Sequence, residues 1–237
     1  MPESPESSTG IAWKRLFAEG AAIVVSILLA FAIDASWEGR QEQARVRESL
    51  ISLRSEFERH RIQLGGVRRT NQGMVDAIVA ALAMGDEDVA TMSPDSAERL
   101  SRGITAYLGF NPSDAALEAM LSSNALEGVA DVRLRNGIAA WPGLVAHYQR
   151  QFDEVVASYN SALERVQELR LVEPFFCLTF GFSTCEWLDW LRPVLADADA
   201  REALARMAMF LSTSLMLQTG LDDHVELVLS LLAETLP

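Results

Sequence analysis

The chain has 237 residues, of which 49% are hydrophobic and 22% charged, with 33 acidic side chains against 20 basic ones and a formal net charge of −13. A chain of this length and apolar content buries a substantial core in one or two domains, which excludes a disordered, collagen-like or disulfide-dense protein. Residues 71–237 carry ten basic against twenty-four acidic side chains, a balance that repels phosphate backbones, so no nucleic-acid partner is expected.

The opening MPESPESSTG is rich in Pro, Ser and Glu, and residues 1–15 read as a disordered acidic tail. Residues 16–37 change character. Between Glu19 and Asp34 no side chain is charged, and Trp13 and Trp37 flank the stretch where an interfacial aromatic belt lies. Fourteen uncharged residues are fewer than the roughly 20 a span needs, but carboxyls one turn inside each end sit at headgroup level, so the segment predicts a transmembrane helix. Gly20, Ala21, Ala22 and Ser26 are small enough to let neighbouring helices pack closely against it. The alternatives are a cleaved signal peptide ending near Ala30-Phe31-Ala32 and a buried soluble helix; Glu19 inside the would-be signal core argues against cleavage.

Residues 38–66 continue without a turn signal. Val46, Leu50, Leu53, Phe57, His60 and Leu64 recur at alternating spacings of four and three, a seam that extends the helix as an Arg-rich stalk toward Gly65-Gly66. Residues 67–237 then read as an acidic helical bundle. A helix follows Asn71 and stops by Gly85, another starts at Ser93-Pro94, and a third follows Asn111-Pro112-Ser113. Val145, Tyr148, Phe152, Val155, Tyr159, Ala162, Val166 and Leu169 predict a long amphipathic helix over 144–170. Residues 203–219 read as a buried core helix and 221–236 as an amphipathic one. Strand-like alternation is absent, so the expected fold is all-α, an N-terminal transmembrane helix and stalk followed by an irregular helical bundle.

Six aromatic residues crowd one stretch: Phe175, Phe176, Phe180, Phe182, Trp187 and Trp190. They belong either to the core or to a surface docked on a bilayer or a partner, where Trp and Phe are enriched. Cys177 and Cys185 lie in the same stretch and are either two buried thiols or, in an oxidising compartment, a disulfide. The three histidines, His60, His147 and His224, form no HExxH or Ser/His/Asp pattern. Glu164 and Glu168 share a helix face but lack the Glu-x-x-His partners of a di-iron bundle. No catalytic residue, metal site or cofactor site is therefore expected.

The apolar stretch from Gly20 running into Ala30-Phe31-Ala32-Ile33-Asp34-Ala35-Ser36-Trp37-Glu38, the Arg/Glu-rich helix from Arg40 to Glu58 with Leu50, Leu53 and Phe57, and the block Ala116-Leu117-Glu118-Ala119-Met120-Leu121-Ser122-Ser123-Asn124-Ala125-Leu126 together resemble a family of uncharacterised bacterial single-pass membrane proteins. The resemblance covers roughly residues 16–165. It implies membrane anchoring and a helical extramembrane domain, and brings no catalytic residues with it. Lys14 and Arg15 before the span favour an inner-membrane protein whose C-terminal domain is periplasmic. The function expected is that of a non-catalytic accessory or scaffolding subunit of a larger membrane complex, of the energy-transducing kind, with the bilayer and other membrane subunits as partners. The alternative is a periplasmic helical-bundle sensor that binds a ligand.

Overall fold

The computed structural model describes residues 13–105, 107–167 and 187–236, which form helices joined by short connections. Helix α1 runs Trp13–Ala83, followed by α2 Asp86–Thr91, α3 Pro94–Thr105, α4 Ala115–Ser122, a 3-10 turn Ala125–Gly128, α5 Val132–Gln167, α6 Trp187–Ala196 and α7 Ala198–Thr235. The all-α expectation holds among the described residues. The chain divides into two compact units, Met1–Glu48 and Ser49–Pro237, so α1 contributes to both.

In the first unit the large apolar side chains Val24, Val25, Ile27, Leu28, Leu29, Phe31 and Ile33 of α1 are all exposed, and Val46 near its end is buried. Among the described residues no helix is long and apolar enough to cross a membrane, which corrects the expectation of a full span over 16–37. The physical reason is length, since fourteen uncharged residues at 1.5 Å rise make about 21 Å of helix against a hydrocarbon layer of about 30 Å.

In the second unit the same helix buries a seam. Leu50, Leu53, Phe57, His60, Leu64, Val67, Asn71, Met74, Ile78 and Ala81 are buried in an unbroken alternation of three and four. The stalk expected over 38–66 lies within the continuous α1, whose residues from Ser49 onward belong to the second compact unit. The helix does not stop at Gly65-Gly66 or restart at Asn71. The Asn71 side chain instead accepts from the Leu108 amide and donates to the Leu108 carbonyl, both at 2.8 Å, satisfying a connecting strand of backbone that has no helix of its own.

Local chemistry explains the remaining boundaries. Ser93 Oγ accepts from the Ser96 amide at the start of α3, as its Ser-Pro signature predicts. Asp131 caps α5 through the Arg133 amide at 2.8 Å, twelve residues before the start expected at 144. That helix continues through Pro142, which has no N–H for the Ile138 carbonyl. Asp197 caps α7 through the Ala200 amide, and α7 joins the two helices expected over 203–219 and 221–236 into one. Asn124 takes the left-handed conformation, φ 58°, in the turn after α4, a place where Asn is tolerated.

Arginines close several helix C-termini, which carry unpaired carbonyls and partial negative charge. Arg192 on α6 donates to the carbonyls of Val89 and Ala90 at the end of α2. Arg201 on α7 donates to Leu82 at the end of α1, at 2.6 Å, and to Leu195 at the end of α6, at 3.3 Å. One apolar core joins α1, α3, α5, α6 and α7 through Met74, Ile78, Ile104, Val155, Leu191 and Leu204. Gly103 permits the close packing of α3 on α1, since a Cβ there would lie 2.6 Å from the Ala77 Cβ.

Candidate membrane and partner interface

The described residues offer three places to look for function: the exposed apolar stretch of the first unit, a buried ring of aromatic and histidine side chains in the second, and a groove on the second unit's surface.

The apolar stretch owes its exposure to composition. A helix presents successive side chains about 100° apart, so Val24, Val25, Ile27, Leu28, Leu29, Phe31 and Ile33 cover about two thirds of its circumference, and the remaining arc holds Ser26 and Ala30, with Glu19 and Asp34 at its two ends along the axis. No single neighbour could bury them all, and a helix apolar over so much of its surface belongs inside a large core or inside lipid. Phe31 is 67% exposed and Trp37 61%. Ala21 and Ser26, expected to pack neighbouring helices, are on this surface, as Gly20 and Ala22 are in sequence, although the side chains at 20 and 22 lie outside the described residues. Trp13 is the first residue of α1. At the other boundary Ser36 Oγ donates to the Ile33 carbonyl, and Arg40 donates to the Ser36 carbonyl at 3.2 Å.

The aromatic ring is a different kind of site. His60 on α1 stacks on Trp141 of α5, centroids 5.2 Å apart and planes 12° off parallel, and His224 of α7 stacks on Trp141 with centroids 6.1 Å apart. Phe57 and Phe110 surround Trp141. Asp114 collects two donors, the Trp141 indole N–H at 3.1 Å and His60 Nε2 at 3.4 Å. Glu56, one turn before His60 and equally buried, caps α4 by accepting from the amides of Ala116 at 2.8 Å and Leu117 at 3.0 Å. Burial holds His60 below the ordinary imidazole range, against the opposing pull of Asp114, the Ser113 carbonyl and Glu56, so the ring is neutral at pH 7. His224 Nε2 is 2.9 Å from the Gly137 carbonyl. Both Nε2 atoms lie within reach of protein oxygens and both imidazoles stack on the Trp141 ring; His60 is buried and His224 partly so.

The groove lies between α1 and α7, has a volume of about 560 Å³ and is lined by Arg68, Arg69, Asp76 and Met216 among others.

The aromatic cluster expected to dock on a partner is placed only in part. Trp187 is buried in the core, with the Arg102 guanidinium 5.5 Å above its ring, so it faces the protein interior and not a partner. Trp190 lies in α6, and Phe175, Phe176, Phe180, Phe182, Cys177 and Cys185 lie outside the described residues. Among the described residues no three His, Cys, Asp or Glu side chains converge as metal ligands would. Sequence reasoning placed His60 on the seam but missed its partners, because Asp114, Trp141 and His224 are 54 to 164 positions away and no local pattern announces them. The groove was missed for the same reason, its two walls being about 140 residues apart. No family model, curated protein or solved structure matches the chain, so the likeness to single-pass bacterial membrane proteins rests on the residues quoted above.

Proposed function

We propose that the protein is a non-catalytic, membrane-anchored accessory or scaffolding subunit of a larger bacterial membrane complex, held by α1 and carrying its acidic helical domain on the periplasmic side. The observation that carries this reading is the run of large apolar side chains from Val24 to Ile33, every one of them exposed. Leaving such a surface in water costs about 25 cal/mol for each Å² of apolar area, and the stretch between Glu19 and Asp34 carries no charged side chain to offset it. Lipid and neighbouring helices both remove that cost. The shortness of the stretch favours the two together: an apolar segment shorter than the bilayer is accommodated by local thinning and by association with other spans. About 36 Å of helix separates positions 13 and 37, so a tryptophan at each end of the stretch supports this reading, as interfacial tryptophans do at the ends of anchors. Lys14 and Arg15 support an inside N-terminus.

The test is extraction of native membranes with mild detergent, using the full chain tagged at its C-terminus, followed by size separation and identification of what co-migrates. Stoichiometric association with one large complex is the expected result, and the Val25→Arg/Leu28→Arg double variant is expected to leave the membrane fraction. Recovery of the wild-type chain in the soluble fraction, or as a lone species in detergent, would overturn the reading.

A further inference from the structure

Independently of the anchor, the groove between α1 and α7 has the size and chemistry of a ligand site. Its volume of about 560 Å³ falls within the range of roughly 300–1,000 Å³ common to small-molecule pockets. Two cross-helix ion pairs set the relative direction of its walls: Arg61 with Glu226 at 3.8 Å and Arg68 with Asp222 at 3.1 Å. The helices are therefore antiparallel here, with the Arg68–Arg69 end of α1 beside Thr219 and the Asp76 end beside Leu215.

The charges along the groove are not equivalent. Arg68 is neutralised by Asp222, while at the other end Asp76 accepts a hydrogen bond from Gln72 Nε2 at 2.8 Å. Arg69 is exposed and has no ion pair among the described residues; its Nη1 lies alongside its own helix, 3.5 Å from where a Cβ on Gly65 would be. One turn further on, Gly73 removes a side chain from the groove wall, and a Cβ built there meets nothing within 4 Å. The opposite wall is apolar, with Leu215 partly buried and Met216 75% exposed, among the most exposed large hydrophobic side chains described. In a domain whose charge is strongly negative, this is a place where an available guanidinium adjoins uncovered hydrocarbon and empty space.

We propose that the groove binds a small anionic amphiphile, a phosphate or carboxylate bearing a short hydrocarbon chain, with Arg69 pairing the anionic head and Leu215 and Met216 covering the chain. The planar guanidinium suits a two-oxygen anion, and Asp76 repels a second negative charge at the far end, which fixes the ligand's direction. The same chemistry is offered by a free alkyl phosphate and by the headgroup end of an anionic lipid.

The test uses the full chain in phosphatidylcholine nanodiscs, titrated calorimetrically with hexyl phosphate and, separately, inorganic phosphate. Hexyl phosphate is expected to bind saturably and at least about tenfold more tightly than inorganic phosphate, because only the former uses the apolar wall. Arg69→Gln is expected to weaken it about tenfold and Arg69→Lys less, since Lys keeps the charge but loses the fork. Gly73→Leu fills the groove with a better helix former, so it is expected to abolish binding while unfolding midpoint and helical circular dichroism are kept. Doping the nanodiscs with phosphatidylglycerol distinguishes the sources: competition with hexyl phosphate identifies bilayer lipid as the ligand, and its absence identifies a soluble amphiphile. Equal affinity for the two phosphates, absence of saturable heat up to ~10 mM, or binding indifferent to both Arg69→Gln and Gly73→Leu would each overturn the proposal.

Discussion

Helix α1 contains two regions with the same backbone and opposite surfaces. From Val24 to Ile33 its large apolar side chains are all exposed, whereas from Leu50 to Ala81 a seam of them at alternating spacings of three and four is buried, with Ile51, Ile62 and Val79 left outside it. Helical propensity does not separate the two, since both are continuous α-helix within Trp13–Ala83. The separation comes from the arrangement of residues around the axis: a seam specifies protein neighbours on one side and water on the other, and a broad apolar surface without charge specifies surroundings that are largely non-aqueous. The second unit satisfies its requirement from its own chain. The first unit does not.

The largest test of that contrast is a pair of truncations. Trp141→Ala removes a fully buried ring that contacts Phe57, His60, Phe110 and His224, and should lower the unfolding free energy of the second unit by about 3–5 kcal/mol in denaturant titrations. Leu28→Ala, at an exposed site of the first unit, should change that free energy by no more than about 0.5 kcal/mol. Equal effects would mean that the apolar stretch is packed within the protein after all.

A second test sharpens the account of the seam's one histidine. His60 is buried between Trp141, Phe57 and Phe110, with Asp114 and Glu56 facing it and Arg59 beside it on α1. Because its folded pKa lies below the ordinary value of 6.5, the unfolded chain takes up a proton first on acidification. The stability due to neutral His60 is therefore complete above pH 6.5 and is lost as the pH falls toward and below the lowered folded value. Urea midpoints measured from pH 7.5 to pH 5 should fall more steeply for the wild type than for His60→Phe, and identical slopes would remove His60 from the account.

The smallest effect concerns the exposed side of the same helix. Gly73→Ala adds a methyl group that touches nothing within 4 Å and improves helix propensity, so the melting temperature should rise by an amount equivalent to about 0.5–1 kcal/mol. A fall would show that the groove wall is more crowded than its geometry indicates.

These residues also show where sequence reasoning reaches. The seam was legible because its period is local, and Ser93-Pro94 announced α3 because a cap acts within one turn. The continuity of α1 was hidden because Gly65-Gly66 and Asn71 look like stops, and only the backbone of Leu108, 37 positions later, explains why an asparagine is buried in mid-helix. The start of α5 was hidden by Pro142, which resembles a boundary but sits inside the helix. The α4 cap was illegible outright, since Glu56 supplies it from 60 residues upstream. Long-range polar pairs of this kind follow from the fold and cannot be read ahead of it.

The phase of the seam carries a consequence for how this protein tolerates change in length. Inserting one residue between Leu64 and Val67 would turn everything downstream by about 100°, swinging Met74 and Ile78 into water and Arg69 toward the core. The stretch between Glu19 and Asp34 has a weaker register, set only by Glu19, Ser26 and Asp34, which share one side of the helix. Within residues 50–81 insertions and deletions should therefore survive only in steps near seven, eleven or eighteen residues, which restore the register.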